Sequence, residues 1–140
     1  KSIRALGQLV DLYEKYQCCI VAIEEIPVSD TGSYGIISGI EIENGIYDVS
    51  DMVEKPQPED APTNMAIIGR YILTPDIFDY LTETKPGAGG EIQITDALRQ
   101  MAKEKRVIAV KFKGRRFDCG SVEGFVEATN FYFEQGEWDI

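Results

Sequence analysis

The sequence predicts an α/β fold with a mixed, mainly parallel sheet flanked by helices, and three observations carry that expectation. Segments with apolar residues at helical spacing alternate along the chain with short apolar runs of strand length. The first such run, Cys18-Cys-Ile-Val-Ala-Ile23, is apolar without a break, which suits a strand covered by helices on both faces. Asn44-Gly45 between two alternating segments marks an antiparallel hairpin, so the sheet is mixed.

Taken in order, Ile3, Leu6, Leu9, Val10, Tyr13 and Tyr16 give an amphipathic helix from Ile3 to Tyr16, with Ser2 as its N-cap. A strand follows from Cys18 to Ile26, and Pro27 closes it. The turn-rich stretch Ser29 to Gly35 leads through Tyr34-Gly35 into a second strand at Ile36-Ile37. Gly35 reads either as a plain turn glycine or as a place where the backbone comes close to a ligand. Glu41 to Met52 form the hairpin around Asn44-Gly45, which delivers Val53-Glu54-Lys55-Pro56.

Gln57 to Thr63 holds two further prolines and two acids and reads as an exposed loop. Asn64 to Leu73 is a strand interrupted by Gly69, a sign of a bulge or a close approach. Thr74 caps the next helix, Pro75 occupies its first turn, and Ile77, Phe78, Tyr80 and Leu81 form its buried side. Lys85 to Gly90 is a glycine-rich linker. It lacks the Gly-Lys-Ser/Thr that a phosphate loop requires.

From Thr95 a helix turns Ala97, Leu98, Met101 and Ala102 inward and ends on Lys103, Lys105 and Arg106, in keeping with its dipole. Val107 to Phe112 alternates as a strand. A last helix, capped by Ser121, carries an apolar stripe of Val122, Phe125, Val126, Thr129, Tyr132 and Phe133. No internal repeat or domain boundary is visible, and 140 residues suffice for one core.

Composition narrows the chemistry. The chain contains no histidine, which excludes imidazole bases, Ser-His and Cys-His nucleophiles and histidine metal sites. Positioning, carboxylates, lysines and an oxygen-loving metal are left. A formal charge of -10 disfavours nucleic acid and anionic membranes as partners, so an anionic ligand must be gripped locally. Cys18, Cys19 and Cys119 read as reduced thiols, with no zinc cluster. There is no apolar run of membrane-spanning length and no signal-like start, so a soluble cytoplasmic protein is expected. The chain opens on Lys1, directly into a helical pattern, and is read as a piece of something longer.

Glu54 and Lys55 set a carboxylate beside an ammonium at a strand's end, before a proline that pushes Lys55 toward extended geometry. Such a pair can hold a polyol and a phosphate. Ordinary strand-end charges look the same in sequence.

Five spaced motifs, in order, carry a resemblance: Tyr34-Gly35, Val53-Glu-Lys-Pro56, Asn64-Met-Ala-Ile-Ile-Gly-Arg-Tyr71, Gly90-Glu-Ile-Gln-Ile-Thr-Asp96 and Phe117-Asp-Cys-Gly120. Together they resemble the bacterial sugar-1-phosphate nucleotidylyltransferases, and their variants look most like the branch that transfers uridylyl groups to glucose 1-phosphate. The resemblance implies a Rossmann-like nucleotidyltransferase fold. Residues 1–140 would be the carboxyl-terminal, sugar-phosphate-binding portion. The family's amino-terminal Gly-x-Gly-Thr-Arg loop, its base-reading residues and its magnesium-binding aspartate have no counterpart here.

By the same resemblance, UTP and glucose 1-phosphate react to give UDP-glucose and pyrophosphate, with Mg2+ as cofactor, in a homo-oligomer. Lys55 would be catalytic and hold the sugar phosphate. Glu54 would accept from glucose hydroxyls, Gly35 would touch the sugar through its backbone, and Ile67, Ile68 and Tyr71 would line the pocket. Asp118 would be a metal ligand, or else a capping carboxylate for the last helix. Glu91, Thr95 and Asp96 would fix the loop and helix start without touching substrate, and Arg70 and Arg115 would be solvated. Two alternatives stay open: a sister enzyme for another base, such as thymidylyl, and an oligomerisation module built on Phe125, Phe131, Tyr132, Phe133 and Trp138, which equally could be core.

Overall fold

The computed structural model describes residues 4–136, Ala88 by its backbone alone. Ser2 as an N-cap, Ile3 and Trp138 lie outside the described residues. Helix α1 (Ala5–Tyr16) ends where Gln17 turns to a left-handed φ of 51° and its N–H bonds Tyr13 O at 2.8 Å. Its inward face is Leu9, with Leu12, Tyr13 and Tyr16 beside it, while Leu6 and Val10 flank that face and stay exposed.

Strands β1 (Cys19–Glu25) and β5 (Val107–Lys111) run parallel, Cys19 opposite Val107 through Ile23 opposite Lys111. Both are covered on both sides, as an unbroken apolar run requires. Ile20, Ala22, Ile108 and Val110 face α1, whereas Cys19, Val21, Ile23, Val107 and Ala109 join the main core. That core is completed by Ile77 of α2 (Ile77–Glu83) and by Ala97, Leu98 and Met101 of α3 (Ile94–Glu104). Each fully buried aliphatic side chain contributes about 1.5–3 kcal/mol over exposure.

The hairpin falls where Asn44-Gly45 places it. It joins β2 (Gly35–Glu43) to β3 (Ile46–Glu54), with Gly45 at φ 75°. β4 (Met65–Ile72) runs antiparallel to β1, and the order β1-β4-β2-β3-β5 closes into a small barrel.

The sheet is therefore mixed but not mainly parallel. Among the described residues β1–β5 is the parallel pairing, and the four other pairings are antiparallel. The reason is connectivity: a tight two-residue turn can join only antiparallel neighbours, and a parallel pair needs a long crossover.

Two helix expectations also shift. Phe78 is 69% exposed, because the short α2 turns Ile77 inward and leaves only Tyr80 and Leu81 to pack beside it. Thr74 does not cap α2. Its hydroxyl donates to Asp76 at 2.5 Å, and the helix starts only at Ile77.

Gly39 sits at a register shift where β3 carries an extra residue opposite β2. A Cβ there would lie 2.4 Å from Asp48 O and 3.1 Å from Val49 Cα, both backbone atoms that cannot swing aside. Gly39→Ala is expected to lower the urea midpoint at constant m, a loss of about 2–3 kcal/mol.

Arg99 of α3 grips Asp51 of β3 with a fork, Nε to Oδ1 at 2.6 Å and a terminal nitrogen to Oδ2 at 3.1 Å. The guanidinium holds the Asp51 carboxyl below its ordinary value of 3.8. A depressed folded-state pKa stabilises above the unfolded value and is lost as pH falls through the folded one. Wild type should thus exceed Asp51→Asn in stability at neutral pH, with the gap closing below about pH 4. Both side chains are over a third exposed, so the gap is under about 1 kcal/mol.

Helix α4 (Val122–Gln135) starts as the sequence predicts, with the Ser121 hydroxyl accepting from Gly124 N–H at 3.1 Å. Its apolar stripe, however, buries no residue in the core. Phe125 is 60% and Phe133 70% exposed. No helix among the described residues is long and apolar enough to cross a membrane.

Candidate functional site

A cleft of about 340 Å³ opens where the start of β2, the end of β3, the middle of β4 and the first turn of α3 meet. That volume suits a small polar metabolite. Ser33, Tyr34 and Gly35 form one wall, Glu54 lies beside them, Ile67, Ile68, Gly69 and Tyr71 come from β4, and Gln93, Ile94 and Thr95 close the α3 side.

Pairing explains the arrangement. Gly35 opens β2 directly opposite Glu54, the last residue of β3, so the hairpin brings the two ends of its own strands together. Thr95 stands one residue into α3 on the inward stripe with Ala97 and Leu98, and is 4% exposed. A hydroxyl that deep needs a partner. It donates to Glu54 Oε2 at 2.6 Å and so fixes the carboxylate in the cleft.

Gly35 makes this contact possible. A Cβ at Gly35 would lie 3.0 Å from Thr95 Oγ1, 3.1 Å from Glu54 Oε2 and 3.3 Å from Ile67 Cδ1. The close approach here is to protein side chains of the cleft.

Gly69 at φ 79° is a bulge. Tyr71 pairs with Val21 and Ile67 with Ile23, so three residues of β4 face the single Ala22 of β1. The extra residues break strand alternation, which lets Ile67, Ile68, Gly69 and Tyr71 all border the cleft. Burial, reinforced by the charge of Glu54, raises the Tyr71 phenol above its ordinary value. It therefore stays protonated at neutral pH and can donate to a ligand oxygen.

The sequence-predicted residues Gly35, Glu54, Ile67, Ile68 and Tyr71 thus share one cleft. Lys55 follows directly but is exposed and does not line it. Nor is Lys55 extended: it adopts a left-handed φ of 47° while its N–H donates to Tyr34 O at 2.9 Å. For a side-chain-bearing residue that conformation costs on the order of 1–2 kcal/mol. The chain leaves the strand there, so the strict alternation of neighbouring side chains no longer holds.

Asp118 is exposed and outside the cleft lining, and its Oδ1 accepts from Gly120 N–H at 3.0 Å. That is a turn just before α4. Among the described residues no cluster of three or more Asp, Glu, Cys or His side chains could hold a metal.

Thr95 departs from expectation: it lines the cleft and positions Glu54. Its signal was present, since a polar residue on an inward helical stripe must find a buried partner. Arg116 carried no comparable signal. Its Nε donates to Glu24 Oε2 at 2.8 Å and a terminal nitrogen to the Tyr34 hydroxyl at 3.3 Å, at the cleft's edge. Arg115 instead pairs with Glu127 and lies over the Phe117 ring. Gly87 and Gly90 form a closed turn, in which Gly87 N–H donates to Glu91 O at 2.9 Å, in place of a free linker.

The family model for nucleotidyl transferases matches residues 2–135. A UTP–glucose-1-phosphate uridylyltransferase of Pseudomonas aeruginosa is 63% identical over 129 residues, which are 92% of this chain and 46% of that protein. A protein of the same name from Staphylococcus epidermidis is 46% identical over 128 residues, 91% of this chain and 44% of its own length. Among solved structures, a UDP-glucose pyrophosphorylase complexed with UDP-glucose superposes with a TM-score of 0.88 at 61% identity, covering 94% of this chain and 50% of that one. The chain spans about half the length of the curated relatives it matches. With the match extending over nearly all of its residues, this chain belongs to the nucleotidyl transferase family.

Proposed function

We propose that this chain is the carboxyl-terminal, sugar-phosphate-binding portion of a UTP–glucose-1-phosphate uridylyltransferase, which forms UDP-glucose and pyrophosphate. The observation that supports it most is the Glu54 carboxylate, held by buried Thr95 beside a glycine wall in a cleft of sugar-phosphate size. Thr95 occupies Oε2, and Oε1 accepts from a sugar hydroxyl. The Tyr71 phenol donates to the same ligand, and the backbone at Gly35 packs against its ring.

A phosphate oxygen of glucose 1-phosphate attacks the α-phosphorus of UTP. A new O–P bond forms, the bond to the β-phosphate oxygen breaks, and pyrophosphate leaves with that electron pair. The attacking phosphate is already ionised, so no base is needed, in agreement with a chain that has no histidine. In-line positioning and charge neutralisation carry the rate. Lys55 supplies the cationic charge on the sugar phosphate.

Magnesium is the divalent ion in this reading, and when bound it would neutralise phosphate charge. Asp118 would offer one carboxylate oxygen, which fits an ion that takes one or two carboxylates together with phosphates and waters. The nucleotide base is read by residues outside this chain.

The reading includes a cytoplasmic, homo-oligomeric enzyme. It is supported by unpaired thiols at Cys18, Cys19 and Cys119 and by the exposed apolar stripe of α4. The test is a panel in which the full-length protein carrying this chain receives glucose 1-phosphate, magnesium and either UTP or dTTP. UDP-glucose and pyrophosphate in equal amounts, with UTP preferred, are expected. A preference for dTTP, or no product from glucose 1-phosphate, contradicts the reading.

A further inference from the structure

We propose that Arg116 is a positioning residue for the sugar-phosphate cleft, anchoring the Tyr34 side chain, which packs beside Ile26, Ile36 and Ala66, and through it the Tyr34-Gly35 wall of the cleft. This rests on the function proposed above and assigns a role that the cleft lining alone does not disclose.

Three segments distant in sequence meet at this guanidinium. Its Nε donates to Glu24 Oε2 at 2.8 Å, near the end of β1, and a terminal nitrogen donates to the Tyr34 hydroxyl at 3.3 Å. The guanidinium carbon also lies 5.6 Å from the centre of the Tyr34 ring. Tyr34 lines the cleft and is tied down at both ends. Its backbone O accepts from Lys55 N–H at 2.9 Å, and its side chain meets Arg116. The next residue is Gly35, whose lack of a side chain leaves room for the Glu54–Thr95 bond.

Arg116 side-chain exposure is 27%, so the bonds are partly shielded from water. The same residue lies two positions before Asp118. Fixing Arg116 thus also restrains the segment that carries that carboxylate, since two residues of extended chain reach at most about 7 Å.

The fork is what the geometry requires. One planar guanidinium serves a carboxylate and a phenol at once in fixed directions, whereas a lysine offers a single point charge that keeps Glu24 neutralised without holding Tyr34. Charge and orientation are therefore separable by substitution.

The experiment uses the full-length enzyme carrying this chain, with Arg116→Lys, Tyr34→Phe and the double variant. Steady-state constants are measured for glucose 1-phosphate and UTP separately, and melting temperature alongside. Arg116→Lys is expected to raise KM for glucose 1-phosphate roughly tenfold, as displaced positioning groups do. KM for UTP and the melting temperature stay at wild-type values. Tyr34→Phe gives the same pattern, and the double variant is no worse than the poorer single, because both remove one interaction.

A wild-type KM for glucose 1-phosphate in Arg116→Lys, equal losses on both substrates, or multiplying effects in the double variant would overturn the assignment. If wild type itself fails to turn over glucose 1-phosphate, the proposed function fails and takes this assignment with it. If wild type turns over glucose 1-phosphate and the variants give one of those contrary results, the Arg116 assignment alone fails.

Discussion

Replacing Lys55 by alanine in the full-length enzyme is expected to lower kcat by about 10²–10³-fold, the usual loss when one charge-stabilising group is removed, with stability almost unchanged. The two halves of that expectation come from different features. Lys55 is exposed and lines no part of the cleft, so its side chain supports no packing. Its left-handed φ of 47° is paid equally by alanine, which also carries a Cβ, and the N–H bond to Tyr34 O survives the change.

What disappears is an ammonium one residue beyond the carboxylate that Thr95 fixes. A strained, solvent-exposed residue next to a cleft is where a fold keeps a functional group at a cost in stability. Steady-state kinetics beside a urea titration check both halves. A kcat within twofold of wild type would remove Lys55 from the mechanism.

Gly35→Ala is expected to be the most damaging single-methyl change in the cleft. The new Cβ meets Thr95 Oγ1 at 3.0 Å, Glu54 Oε2 at 3.1 Å and Ile67 Cδ1 at 3.3 Å, all tighter than ordinary contact. Thr95 and Ile67 are 4% and 5% exposed and have little room, so Glu54 is the group that gives way. Moving it breaks the 2.6 Å bond that orients the carboxylate in the cleft.

KM for glucose 1-phosphate should rise about a hundredfold, the size of effect that small misplacements of binding groups produce. Overpacking should cost about 1–3 kcal/mol of stability. KM for UTP should not move. An unchanged KM for glucose 1-phosphate would mean that the Gly35 wall does not face the ligand.

Local signals located most of the elements. The unbroken run Cys18 to Ile23 marked a strand covered on both faces, Asn44-Gly45 located the hairpin turn, and Ser121 started α4. Strand direction was not legible. It depends on which distant strands pair, and β4 returning antiparallel beside β1 leaves no local mark in either sequence.

At the cleft, Gly35, Glu54 and Gly69 drew notice through unusual neighbours, whereas the lining roles of Ile67, Ile68 and Tyr71 came from the family resemblance. Those neighbours are a turn glycine at a strand start, a charge pair before proline and a glycine inside a strand. Thr95 needed the inference that an inward hydroxyl must be bonded. Arg115 and Arg116 could not be told apart, since adjacent arginines differ only in which way the backbone aims them. One reaches Glu127 and the other reaches Glu24 and Tyr34. The exposed stripe of α4 was equally hidden, because an apolar helical face looks alike in sequence whether or not the core covers it.

Everything proposed for this chain depends on a sugar phosphate entering the Gly35–Glu54–Thr95 cleft. The most direct measurement is an amide NMR titration of the isotopically labelled chain with glucose 1-phosphate. Saturable shifts concentrated on Gly35, Glu54, Tyr71 and Thr95, and lost in Glu54→Ala, are the predicted result. Saturable shifts centred elsewhere, or no shifts in a chain whose spectrum is folded, would contradict it.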